Sequence, residues 1–330
     1  MKLIGELKMI NNFNKKKDLS SLCVQYKDMK FPITNYLSLL SKEDKDYYIK
    51  ENKEIVKEIL ELLREKYSVK DICQKFNLSQ RIVYYYIAGK RAPPLKLLFK
   101  IIEAIKHPEF IDRLYKDFTG LYTWGHSSDK LPKCYTKELA YLTGLICGDG
   151  HISKRTEVYI WNEAKSYLKY DISKIIKRLF DYDIKYRDLD TYARIDVASK
   201  PINFFFHKII GIPKGKKKGI LNIPSFIYLS KEFKINFIRG LFDSDGGITS
   251  SKNKHFSILF SQSTKHFLID LKKLIQEFGI DFGGPYTSGS RKGFEIRTFS
   301  KDKIIKFNNV IGSVHPIRRK KLNALVVQFG

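Results

Sequence analysis

The sequence predicts an α+β protein: a duplicated αββαββα unit with an internal pseudo-twofold axis, preceded by a small all-α domain. Two stretches of the C-terminal part echo each other, residues 136–152 and 230–248, each opening on a hydroxyl residue followed by Lys-Glu and closing on Asp-Gly and an isoleucine. Between further landmarks lie segments of β-formers near period two, around Tyr159-Ile-Trp-Asn, Tyr192-Ala-Arg-Ile-Asp-Val, Phe256-Ser-Ile-Leu-Phe-Ser and Phe294-Glu-Ile-Arg-Thr-Phe. Upstream of residue 116 the apolar spacing is helical instead.

Taken in chain order, residues 1–41 read as a basic arm, lysine-rich and irregular, with the run Lys15 to Lys17, and are expected to pack loosely. Residues 42–115 form the helical domain. Ile55, Ile59 and Leu62/Leu63 place an amphipathic helix over Lys42 to Leu63. Two short helices follow, with Ser68 and Ser79 as N-caps and Gly89 as the stop of the second. With the trailing Gly89-Lys90-Arg91 and Pro93-Pro94, this pair resembles a helix-turn-helix of the bacteriophage Cro/repressor type. The resemblance implies that the second helix offers Gln80, Arg81, Tyr84 and Tyr85 to the DNA major groove, with Lys90 and Arg91 beside it. The plainer alternative is an ordinary helical hairpin. Residues 116–133 contain Gly120, Gly125, Ser127, Ser128 and Pro132 and read as a linker. The duplicated domain is then 134–330, with halves of about 134–228 and 229–330, and a chain starting near Lys130 is expected to fold and act without the rest.

Composition narrows the function. A chain of 330 residues with 43% apolar and 29% charged residues is globular and long enough for two domains. Its 61 Lys+Arg against 35 Asp+Glu give a net charge of +26, spread along the chain, which favours a polyanionic partner. A lysine-rich composition with solvated faces is the bland alternative. Cys23, Cys73, Cys134 and Cys147 show no CxxC spacing, so neither a zinc ribbon nor a disulfide framework is suggested. No apolar run reaches membrane-spanning length and no signal core follows the basic N-terminus, so a soluble, cytoplasmic protein is expected.

The chemistry concentrates in the two repeated helices. Gly144 and Gly148 in one, Gly240 and Ser244 in the other, are small residues four apart, so the helices can meet backbone to backbone. Close packing alone explains that pattern, but not the aspartates that follow. Asp149 and Asp245 each end a helix, where the dipole disfavours a carboxylate by a few tenths to about 1 kcal/mol. Bringing them together adds like-charge repulsion. A bound divalent cation, Mg²⁺ or Mn²⁺, resolves the conflict.

The stretches Leu142-Thr-Gly-Leu-Ile-Cys-Gly-Asp-Gly and Ile238-Arg-Gly-Leu-Phe-Asp-Ser-Asp-Gly resemble the two copies of the LAGLIDADG motif of monomeric homing endonucleases. The resemblance covers the chain from about Tyr135. It implies two antiparallel sheets forming a saddle on double-stranded DNA and cleavage of both strands beneath Asp149 and Asp245. It further implies roles for carbonyls beside the acids, at Gly150 and Gly246, for the amides Asn162 and Gln262, and for basic clusters around Lys218 and Lys320. Arg194 and Arg297 are the arginines expected on the DNA-facing side of the sheets. Where several relatives place lysine after the amide, this chain has Glu163 and Ser263. Cys147 replaces the first aspartate of the motif, a position that is not the family's metal ligand. The ends, Met1 and Gln328-Phe-Gly330, lack an intein's nucleophile and terminal His-Asn, so a free-standing enzyme is expected. The rivals are an RNA-splicing maturase, with RNA as partner, and a non-catalytic DNA-binding regulator.

Overall fold

The computed structural model describes residues 31–44, 46–50, 53–123, 129–250, 256–288 and 293–329. The basic run Lys15 to Lys17 and Cys23 lie outside the described residues.

The duplication is visible in the topology. The first half runs α7 (Lys137–Cys147), β5 (Gly150–Ile152), β6 (Glu157–Asn162), α8 (Ser173–Phe180), β7 (Lys185–Asp188), β8 (Ala193–Ala198) and α9 (Lys200–Phe204). The second repeats it as α10 (Lys231–Asp245), β9 (Gly246–Ser250), β10 (Phe256–Gln262), α11 (Lys265–Gln276), β11 (Gly283–Thr287), β12 (Phe294–Thr298) and α12 (Lys301–Val310), and adds α13 (Pro316–Val327). The two sheets are antiparallel with matching orders, β5-β6-β8-β7 and β9-β10-β12-β11. Thr136 and Ser230 cap α7 and α10 by accepting from the Leu139 and Phe233 amides, as a hydroxyl before Lys-Glu predicts.

Each sheet buries one face. Val158, Ile160, Ile195 and Val197 are under 3% exposed, while Tyr159, Trp161 and Arg194, one residue out of phase, are half-exposed on the other side. In the second half Phe242, Phe260, Phe282 and Phe307 interlock edge to face at 4.8–6.3 Å between centroids.

The N-terminal part consists of β1 (Phe31–Pro32), α1 (Leu37–Leu40), β2 (Tyr48–Lys50), α2 (Lys53–Lys66), α3 (Val69–Phe76), α4 (Gln80–Ile87), α5 (Leu95–Ile105), α6 (Glu109–Asp117) and β3 (Gly120–Tyr122). The amphipathic helix expected from Lys42 therefore starts only at Lys53, because Tyr48–Lys50 pair with Gly120–Tyr122 as a small sheet. Ser68 forms a capping box with Asp71, Ser79 caps α4, and Gly89 takes φ 65° just beyond its end.

Two boundaries differ from the sequence reading. Of the expected loose arm, residues 31–41 are integrated: β1 pairs with β4 (Cys134–Tyr135), the Tyr36 hydroxyl donates to the Pro132 carbonyl at 3.2 Å, and Tyr36 packs on Tyr115, Phe118 and Phe205. The expected linker is anchored too, with Phe118, Leu121 and Leu131 at most 1% exposed. Gly125, Ser127 and Ser128 lie outside the described residues, while Phe118, Leu121 and Leu131 fasten the described parts of the segment to the core. A chain starting at Lys130 would strip β4 of its partner and uncover Phe205, so independent folding of that fragment is not what this packing implies.

Candidate active site

At the centre of the duplicated domain α7 and α10 touch backbone to backbone. A Cβ placed on Gly144 would lie 2.2 Å from the Phe237 carbonyl oxygen, and one on Gly240 would lie 2.1 Å from that of Tyr141. One on Gly148 would lie 2.0 Å from Ser244 Oγ and 3.2 Å from the Asp245 carboxyl carbon. The chain beside Asp149 thus abuts the Asp245 carboxyl group, and both acids are half-buried. Burial raises both carboxyls above their usual range. For Asp245 the Asp149 charge raises it further, while the Arg318 and Lys217 charges oppose the shift in both.

Two cations offset this negative centre, one in each half. Lys217 Nζ donates to the carbonyls of Ile146, Cys147 and Gly148 at 3.0, 2.8 and 2.5 Å, across the C-terminus of α7. Arg318, in the first turn of α13, donates to the Gly246, Asp243 and Ser244 carbonyls at 2.9, 2.8 and 2.6 Å, across the C-terminus of α10. Each cation meets the carbonyl end of a helix dipole and saturates acceptors that would otherwise be orphaned. Burial lowers the Lys217 ammonium, and the neighbouring acids work against that shift.

These are not the basic residues the sequence singled out. Lys218 and Lys320 are exposed, and it is Lys217 and Arg318 that turn inward. Inside Lys216-Lys217-Lys218 no regular element fixes which side chain points in, so the cluster was legible and the member was not. The carbonyl reading also changes. Gly246 accepts from Arg318, and a Cβ at Gly150 or Gly246 would fall 2.4 Å from Ile146 Cα or 2.3 Å from the Phe242 carbonyl. Both glycines are required by the sharp return of each strand onto the helix it leaves.

The two amides part company. Gln262 donates to the Asp245 carboxylate and, at 3.3 Å, to the Cys147 carbonyl of the other half. Asn162 does not reach Asp149. Its Oδ1 accepts from the Ala164 amide at 2.9 Å and from His315 Nε2 at 2.8 Å, and its Nδ2 donates to the Asp243 carbonyl at 3.5 Å. The Arg318 amide donates to His315 Nδ1, so the ring proton sits on Nε2 and Asn162 is committed as a clasp between the halves. Asp243, the first aspartate of the second motif, is fully buried and accepts from the Tyr141 hydroxyl, the Ser313 hydroxyl and the amides of Val314 and His315. It ties the loop before α13 in place, and with it Arg318. Cys147, its counterpart, is a buried thiol that burial pushes up to about 12.

The clasp has a measurable signature. Burial, reinforced by the Arg318 charge, pushes the His315 imidazole down to about 3, below its ordinary value of about 6.5. The neutral ring's contribution is therefore complete above about pH 6.5 and is lost as pH falls toward 3. Stability should decline across that window by at most ~1.4 kcal/mol per pH unit. His315→Gln, which keeps an amide donor and does not titrate, should flatten the pH dependence of the melting temperature; an unchanged slope would assign the acid sensitivity to another group.

On the faces turned from the core, Arg194 and Arg297 are about a quarter exposed and ion-paired on their own strands, to Asp196 and Glu295. In the N-terminal part Arg81 Nε donates to the Tyr85 hydroxyl at 2.8 Å, and Tyr84 and Lys90 are exposed, whereas Arg91 is half-buried beside Tyr86. No helix of the described residues is long and apolar enough to cross a membrane.

Residues 232–312, which hold α10 and the second sheet, match the LAGLIDADG-like domain family. The second half of the duplicated unit is thus similar to a LAGLIDADG-like domain. The homing endonuclease I-ApeI of Aeropyrum pernix is 25% identical over 198 residues, 57% of this chain and 86% of that protein. Two Methanocaldococcus jannaschii proteins also match. The glutamine–fructose-6-phosphate aminotransferase is 25% identical over 246 residues, 72% of this chain, and the replication factor C small subunit is 34% identical over 148 residues, 44% of this chain. The chain spans only 22% and 8% of their lengths. Among solved structures, I-DmoI in complex with DNA and Mn aligns with a TM-score of 0.42 at 21% identity, over 54% of this chain and 98% of that one.

The two adjoining carboxylates, Asp149 and Asp245, suit a hard divalent cation, whereas the Gln262 amide nitrogen already faces Asp245 and the carbonyls at the two helix ends accept from Lys217 and Arg318. Among the described residues no group of three or more His, Cys, Asp or Glu side chains is placed to hold a metal ion.

Proposed function

We propose that this chain is a site-specific endonuclease that hydrolyses both strands of a DNA duplex. The observation that carries the reading is the meeting of Asp149 and Asp245 across two helices whose contact is backbone on backbone, an arrangement that costs stability and has no structural need. Asp149 and Asp245 would hold Mg²⁺ or another divalent cation such as Mn²⁺, which when bound supplies Lewis acidity toward the scissile phosphate and an activated water. I-DmoI is described in complex with DNA and Mn, in line with this donor set.

The chain's own residues set the geometry. Gln262 fixes the rotamer of Asp245. Lys217 and Arg318 balance the acids, each from the carbonyl end of one motif helix. Arg194 and Arg297 lie on the faces that would meet the duplex, and the +26 charge draws it in. We assign the helix pair α3–α4 to a second DNA contact through Arg81, Tyr84, Tyr85 and Lys90, with Arg91 supporting it from beneath. The enzyme would act in the cytoplasm as a monomer, its duplication providing the two half-sites that a dimer would otherwise provide.

A cleavage assay with Mg²⁺ on plasmids carrying DNA from around the source organism's own copy of the gene tests this. A linear product cut at one position is expected. Sequence-specific binding without cleavage, at any divalent ion, would instead mark a non-catalytic regulator.

A further inference from the structure

The outer face of the first sheet carries an ion cluster that neither the metal centre nor the core uses. Arg187 on β7 and Arg194 on β8 are register partners, side by side on neighbouring strands. One carboxylate serves both: Asp196, 5% exposed, accepts from Arg187 Nε at 2.7 Å and from Arg194 Nε and Nη2 at 2.5 and 3.0 Å. The two arginines are thereby differentiated. Arg194 presents its side edge to Asp196 and lies over the Tyr159 ring at 4.8 Å, with Trp161 at 6.0 Å, and is largely spent on these contacts. Arg187 is held to Asp196 through Nε alone and its side chain is 49% exposed, which leaves its two terminal nitrogens unengaged.

A guanidinium anchored at Nε and free at both Nη atoms matches the paired acceptors O6 and N7 on the major-groove edge of guanine. Anchoring also settles the rotamer before any ligand arrives. Among the described residues the second sheet shows no such pair: Arg297 is bonded to Glu295, whose register partners are Ser261 and Tyr286. The Arg187 position follows from the sheet order. The Trp161 amide donates to the Asp149 carbonyl, Trp161 is the register partner of Arg194, and Arg194 that of Arg187. Three strand spacings separate β5 from β7, roughly 14 Å, or about four base pairs of duplex.

We propose that Arg187 reads a guanine about four base pairs from the scissile phosphates in the half-site under the first sheet, and that Asp196 is its positioning residue. This rests on the nuclease reading above. It makes the first half-site more discriminating at that position than the second.

The test is binding selection of the full chain from a random duplex library in EDTA, followed by titration of the selected duplex. The wild type should enrich guanine at one such position, and Arg187→Ala should lose that preference by roughly ten- to hundredfold while preferences elsewhere persist. Arg187→Lys keeps the charge without the fork and should lose it too. Asp196→Asn should weaken the same position with little change in melting temperature or in non-specific affinity, which a purely structural ion pair would not do. Replacing that guanine by 7-deazaguanine should weaken the wild type about tenfold and leave Arg187→Ala unaffected. A loss of affinity uniform over all sequences would make Arg187 a phosphate contact and overturn the assignment, as would an unchanged profile. A wild type that enriches no sequence would overturn the nuclease reading and this inference with it.

Discussion

Replacing Asp149 or Asp245 by asparagine is expected to abolish double-strand cleavage while leaving DNA binding within a small factor. The loss should exceed a thousandfold, because a cation contributing several kcal/mol to the transition state loses half of its carboxylate set. The fold should not suffer. Burial raises both carboxyls, and in Asp245 the neighbouring acid adds to it. A carboxyl whose folded pKa exceeds its unfolded value costs stability once the pH passes the unfolded value, about 3.9. An amide removes that cost, and Lys217 and Arg318 keep their carbonyl partners, so the metal-free melting temperature at neutral pH should stay level or rise. Isothermal titration with Mg²⁺ should show the corresponding loss of binding. Cleavage at the wild-type rate by both variants would remove the acids from the mechanism.

The second large effect belongs to a position with no functional group. Gly144→Ala sets a methyl 2.2 Å from the Phe237 carbonyl oxygen and 2.8 Å from the Leu241 nitrogen, and Gly240→Ala sets one 2.1 Å from the Tyr141 carbonyl. Neither neighbour is a side chain that can rotate away. The helices must separate, at a cost of about 1–3 kcal/mol or more for each substitution, read as a melting temperature lower by several degrees, on the order of 2–4 °C per kcal/mol in a chain of this size. Cleavage should fall with it, since Asp149 and Asp245 ride on the ends of the separated helices. Either variant melting and cutting like the parent would show that this contact is looser than its geometry.

What the sequence disclosed and what it withheld follow a physical line. The duplication, the order of helices and strands, the small residues at the seam and the two acids are all local or periodic signals, and each is present in the fold. Asn162 illustrates the other side. It occupies the same place in its half as Gln262, but His315, which engages it, lies 153 residues away and carries no periodic signature. One fewer methylene and one distant imidazole are enough to take it out of the acid's reach. The inward turn of Lys217 and Arg318 was hidden for the same reason, since a run of like residues encodes charge without direction. In the stretches 116–123 and 129–133 a composition rule is overruled by Phe118, Leu121 and Leu131, whose burial depends on partners from other elements.

The backbone contact between α7 and α10 bears on how such a chain can be remade. Where Gly144 and Gly240 let main chain meet main chain, the seam records almost nothing about the identity of the residues around it. A half from one protein could therefore be joined to a half from another across this seam with its central fit intact. Bonds that do depend on identity include Tyr141 to Asp243 within the seam and, beside it, His315 to Asn162 and Gln262 to the Cys147 carbonyl. In such a hybrid they are the places where compatibility between the two parents would be decided.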